Sequence, residues 1–173
     1  QSPQLIANAL KDYSTALNSA RMKDKTRAEV LINRGAAEGA RQNFEQSIID
    51  LTEGLRIDPK NKNGYFNRSI AYYTTRQYDK ALADYTAFLQ LDPFNGNVWY
   101  ERGMVLRSMN RNEEAIESLT KAIQLNPQIA VAYIERARAY AQSGNKAAAE
   151  KDYQQAQKAG LKLDAMDQML MQK

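Results

Sequence analysis

Apolar residues recur along this chain at steps of three and four, the interval that stacks them on one face of a helix. A longer period is laid over that pattern. Pro59, Pro93 and Pro127 fall 34 residues apart, and aligning the chain on them brings further columns into register. The first half of each period carries the columns Leu31, Tyr65, Trp99, Tyr133; then Gly35, Ser69, Gly103, Ala137; then Glu38, Tyr72, Leu106, Tyr140. The second half carries Ser47, Ala81, Ala115, Ala149; then Leu51, Tyr85, Leu119, Tyr153; then Gly54, Phe88, Ala122, Ala156. Each half reads as one amphipathic helix, so each period predicts two. The small columns let the two helices approach closely, and the large ones fill the neighbouring gap. Breaks around Arg76-Gln77, Asn110-Arg111-Asn112 and Ser143-Gly144-Asn145 predict the turn inside a pair. Each proline ends a period, because it cannot continue the preceding helix.

Both ends extend the pattern. Residues 4–21 predict another helix, with Leu5, Ile6, Ala9, Leu10, Tyr13, Ala16, Leu17 and Ala20 on one face. Ala9, Tyr13 and Ala16 mimic the second-helix columns Ala81, Tyr85 and Phe88, so this segment reads as a leftover second helix covering the first period. At the other end Asp164 is expected to N-cap a short helix with Met166, Met169 and Leu170 facing inward.

The repeat resembles the tetratricopeptide repeat, whose signature is W-x2-L-G-x2-Y…A-x3-F…P at a period of 34. Arg34, Arg68, Arg102 and Arg136 stand where that signature has Leu, as in the subset that reads N-R-G. The first copy is worn, with Glu38 and Gly54 at sites that are normally bulky or Ala, and the fourth has Leu161 in place of proline. The resemblance implies an all-α fold: a right-handed superhelical α-solenoid of antiparallel helix pairs. Its repeats would run 28–61, 62–95, 96–129 and 130–163, with a capping helix and linker over 1–27 and a terminal cap over 164–173. Sixteen residues after each arginine come Asp50, Asp84, Ser118 and Asp152, which predicts an ion pair bridging the two helices in three of the four copies.

The same resemblance implies a concave groove, lined by the first helices, that holds a protein or peptide segment. The residues expected there are Asn33, Phe66, Asn67, Ile70, Tyr73, Tyr100, Glu101, Met104, Arg107 and Arg138. Aromatic and Met side chains would anchor apolar groups, and the asparagines would hydrogen-bond a main chain. Glu101 argues against an acidic ligand, partly offset by Arg107 and Arg138. Chaperone-binding members clamp a terminal carboxylate with Lys and Arg; here the matching sites include Ile32, Ala36, Asn97 and Glu101, and only Asn67 fits, so that mode is not expected.

Composition removes most chemistry. The 173 residues include no Cys and no His, which leaves no disulfide, Cys/His zinc site, thiol nucleophile or His-dependent relay. The eight glycines are scattered and form no phosphate loop. Carboxylate pairs such as Glu113–Glu114 and Asp164–Asp167 sit at helix starts, where acids complement the helix dipole. The expectation is therefore a non-catalytic scaffold with no cofactor. The net charge of +4 is interspersed, and the cluster Arg21, Lys23, Lys25, Arg27 reads as a solvated linker, so neither nucleic acid nor membrane insertion is expected. The alternative is a subunit that forms a homo-oligomer or joins a larger complex through its end helices. A start at Gln1 and the lack of Cys lean towards a secreted or periplasmic chain freed of its signal, against a cytoplasmic one.

Overall fold

The computed structural model describes residues 3–19 and 22–172, with the side chains of residues 166 and 170–172 left aside. Among the described residues the secondary structure is helical, with no strand. The helices are α1 (Pro3–Leu17), α2 (Asp24–Ala40), α3 (Phe44–Ile57), α4 (Lys62–Thr74), α5 (Tyr78–Leu91), α6 (Gly96–Ser108), α7 (Asn112–Leu125), α8 (Ala130–Gln142), α9 (Lys146–Lys158) and α10 (Ala165–Gln172). The N-terminal helix is shorter than the periodicity predicts, and Ala20 lies outside the described residues.

The chain divides into two compact units, Gln1–Leu91 and Asp92–Lys173. In the first unit α2 packs antiparallel to α3 and α4 to α5, while α1 lies on α2 as α3 lies on α4. In the second, α6 pairs with α7 and α8 with α9, and α10 rests on α8 and α9. The column Leu51, Tyr85, Leu119, Tyr153 forms the centre of each pair, at most 1% exposed. Opposite it the small column admits the neighbour. A Cβ on Gly103 would stand 2.6 Å from Leu119 Cγ, and one on Gly35 would stand 2.7 Å from Leu51 Cγ.

Each first helix closes on a left-handed residue: Gln42 (φ 65°), Arg76 (φ 59°), Asn110 (φ 57°) and Gly144 (φ 80°). The next residue's N–H reaches back five positions, as from Asn43 to the Glu38 carbonyl and from Gln77 to Tyr72. This Schellman geometry satisfies the last carbonyls and reverses the chain within a few residues.

The arginine column forms the predicted bridges. Arg34, Arg68 and Arg136 each donate two hydrogen bonds to Asp50, Asp84 and Asp152, at 2.6–2.8 Å. Arg102 donates instead to the Ser118 hydroxyl. Arg68 also lies over the rings of Tyr65 and Tyr72, and Arg136 over Tyr133 and Tyr140, with centroids 5.8–5.9 Å away. A guanidinium thus replaces the signature Leu by stacking on its aromatic neighbours and neutralising its charge across the pair.

At the C-terminus, Asp164 Oδ1 accepts the Asp167 backbone N–H at 2.8 Å, as a cap should. The inward face differs from expectation. Asp167 is buried at 1% exposure, whereas Met169 is 55% exposed. Two helical positions apart, they point to opposite sides, and ion pairing of Asp167 decides which side faces in. The Met166 and Leu170 side chains lie outside those described.

Candidate partner-binding face of the first helices

In the first unit this face is built by α2 and α4. Asn33 and Ile70 are exposed, and Asn67 is half-buried. Asn67 and Ile70 line a cleft of about 240 Å³ whose other walls include Ala36, Ala40, Ala71 and Phe44. Small residues at two positions leave this space. Gly39 stands where later copies carry Tyr73, Arg107 and Ala141. Behind it Ser47 replaces the alanine of Ala81, Ala115 and Ala149, and its Oγ lies 3.1 Å from where a Gly39 Cβ would be. Ser47 is 1% exposed, and its hydroxyl has no hydrogen-bond partner among the described residues. No ionisable side chain lines the cleft.

Two aromatic side chains from the expected set are engaged within the fold. Phe66 turns towards α5, its ring 6.3 Å from Tyr85 and 6.1 Å from Phe88. It packs between the helices of its own pair while staying half-buried. The Tyr73 ring is half-buried and packs at 5.6 Å on Tyr78.

The second unit's face is charged but internally neutralised. Arg107 pairs with Glu135 at 2.6 Å, and Arg138 pairs with Glu135 at 2.8 Å, Asp167 at 2.7 Å and Asp164 at 2.6 Å. Tyr153 donates to Asp167 Oδ1 at 3.1 Å. Arg107 and Arg138 are therefore both engaged by internal carboxylates. Two of the three acids that hold Arg138 lie 26 and 29 residues downstream. The helix-start reading of Asp164 and Asp167 identified the cap and missed this tertiary role.

The electrostatics follow from these contacts. Burial would raise the Asp167 carboxyl, but its hydrogen bond to Arg138 and that residue's charge hold it below the usual range. Burial and the nearby Asp167 carboxylate push the Tyr153 phenol up. Glu101 is half-buried and its carboxyl is raised by desolvation. Tyr100 and Met104, also on α6, are half-buried. Among the described residues no group of three acidic side chains is arranged to hold a metal, and no helix is long and apolar enough to cross a membrane.

Comparison with known proteins agrees with the period. Family models described as tetratricopeptide repeat match residues 63–95, 96–129 and 130–159, together more than half of the chain. No curated protein matches the sequence. Among solved structures the chain is similar to a crystal structure of MamA, with a TM-score of 0.84 at 21% identity over 90% of this chain and 88% of that one. A second MamA crystal structure gives 0.83 at 21% identity, covering 93% and 90%. MamA from Desulfovibrio magneticus RS-1, residue 41 to its end, gives 0.82 at 15% identity, covering 90% and 85%. At these identities the likeness concerns the fold.

Proposed function

Because the chain belongs to the tetratricopeptide repeat family, we propose that it is a non-catalytic interaction scaffold that holds a neutral protein or peptide segment on the first-helix face of its N-terminal unit. In this reading the repeats occupy 28–61, 62–95, 96–129 and 130–163, and residues 1–27 and 164–173 cap them. The observation that carries the proposal is the uncharged cleft between α2 and α4, with Asn67 and the exposed Ile70 among its walls. An apolar side chain of the partner enters this cleft, and the Asn33 and Asn67 amides hydrogen-bond its main chain. Within the C-terminal unit, Tyr100, Glu101 and Met104 offer a contact surface of that unit's own on α6, and Arg107 and Arg138 keep that face in shape through their ion pairs.

The test is affinity capture with wild type beside an Asn67→Ala/Ile70→Glu double variant. Both positions lie on the helix surface or at the cleft, so circular dichroism melts should nearly coincide. A partner retained by wild type and lost by the variant supports the reading. Equal retention by both chains moves the site elsewhere.

A further inference from the structure

We propose that the partner residue accepted by the α2–α4 cleft is a tyrosine, whose phenol pairs with the Ser47 hydroxyl in the cleft wall. The proposal rests on the reading of that cleft as the partner site and names the side chain that fills it. Ser47 is 1% exposed, and its hydroxyl has no hydrogen-bond partner among the described residues. Other helical hydroxyls of the chain behave differently. Those of Ser14, Thr74, Thr86, Ser108 and Ser118 each donate to the carbonyl four residues back in their own helix. At Ser47 only the backbone N–H uses that carbonyl, on Asn43. The Oγ lies instead towards Gly39 on α2, 3.1 Å from where a Cβ would stand. A buried hydroxyl without a partner costs stability. Alanine holds this column in the other three copies, at Ala81, Ala115 and Ala149. Alanine would serve the packing, so the hydroxyl is assigned to what enters the cleft.

The second unit shows how a side chain uses the same columns. Arg107 stands in the Gly39 column and Glu135 in the Asn67 column, and the two meet at 2.6 Å. A side chain rooted on one first helix thus crosses to the next. In the N-terminal unit Gly39 has no side chain to do so, and about 240 Å³ stays open. The partner's side chain takes the place that Arg107 fills.

Shape and polarity narrow the choice. No ionisable side chain lines the cleft, so a charged tip would lose hydration without gaining a counter-ion. Ala36, Ala40, Ala71, Ile70 and Phe44 form apolar walls that suit an aromatic ring. An aliphatic anchor would fill those walls and leave the Ser47 hydroxyl unpaired. A side-chain amide would bring a carbonyl and two N–H donors to a single hydroxyl. A phenol brings one O–H group on an apolar ring, and one partner satisfies it.

The test selects phage-displayed short random peptides on the full chain, after removing phage that bind Asn67→Ala/Ile70→Glu. The survivors should share a tyrosine. One such peptide, and the same peptide with phenylalanine in its place, are then titrated by fluorescence anisotropy against wild type and Ser47→Ala. On wild type the phenylalanine peptide should bind about tenfold more weakly. On Ser47→Ala the two should bind within about twofold of each other, because the phenol has lost its partner. Ser47→Ala installs the residue of the other copies, so its melting temperature should not fall below that of wild type. Survivors without a shared tyrosine overturn this inference and leave the cleft reading standing. So does a preference for tyrosine that is absent on wild type or undiminished on Ser47→Ala. A selection with no survivors overturns the cleft reading itself, and this inference with it.

Discussion

At the scale of single residues, the arginine column shows why a charge can stand where the repeat signature has Leu. Arg68 is held on three sides, by the Asp84 carboxylate, the Thr52 hydroxyl and two aromatic rings. The hydrogen bonds that Arg34 and Arg68 donate to Asp50 and Asp84 raise the pKa of both arginines, whereas burial lowers that of Arg102, which has no carboxylate in the column. Removing one member of a buried pair leaves the other charge uncompensated. Asp84→Ala should therefore cost about 3–5 kcal/mol in chemical denaturation, while Asp79→Ala, at an exposed position, should stay within about 0.5 kcal/mol; equal losses would reject the bridging role. The converse change is Ser118→Asp. The geometry of the other three copies accepts a carboxylate there, so this variant should melt higher than wild type, and a lower melting temperature would contradict it. The pairing was legible before any coordinates, because a 16-residue offset recurring in three copies is hard to satisfy by surface charges. The partners of Arg138 were not legible, since their separations of 26 and 29 residues occur once.

At the scale of helices, the turns around Arg76-Gln77, Asn110-Arg111-Asn112 and Ser143-Gly144-Asn145 were legible in the sequence, whereas the one at Gln42 was not read from it. Gln42 and Arg76 adopt the same left-handed conformation as Asn110 and Gly144, and nothing in their side chains announces it. Their position in the period does, one column shared by four copies. Helix α10 is docked by chemistry rather than by apolar patterning. Asp167 is stabilised as the anion by Arg138, so its folded pKa lies below the unfolded value of about 3.9. The sign follows: docking is fully present above the unfolded pKa and is lost as pH falls through the folded one. The α10 amide resonances should therefore move towards random-coil positions on acidification below about pH 4. Arg138→Ala should produce the same detachment at neutral pH. An α10 that stays ordered in Arg138→Ala would assign its docking to Leu163 and its neighbours Ala137 and Tyr153 instead.

At the scale of the whole molecule, each unit has its own buried centre, built from nearest neighbours along the chain. Stability in such an array is a sum of local pairs and adjacent interfaces, so a defect spreads only a short way. Amide hydrogen exchange should show slow protection in α3 and α4 of the first unit and α7 and α8 of the second, and faster exchange in α1 and α10. Asp84→Ala should accelerate exchange in α4 and α5 far more than in α8 and α9. A uniform loss of protection would mean that the chain opens as a single cooperative block.

What the sequence determined by itself is whatever recurs. The helix pairs, the small-against-large packing of Gly103 on Leu119 and the Arg–Asp bridges are each stated three or four times, and repetition separates a structural rule from chance. What only the tertiary structure decided is whatever happens once. Gly39 and Ser47 drew no reading of their own in the copy whose Glu38 and Gly54 depart from the signature, yet together they leave space for the neutral cleft. The ring contacts of Phe66 inside its own pair, and the pairing of Arg107 and Arg138 with carboxylates from α8 and α10, were likewise invisible in the sequence. Periodicity fixes which face of a helix a residue lies on. Whether that side chain is spent on a neighbour depends on distances between helices, and those exist only once the chain has folded.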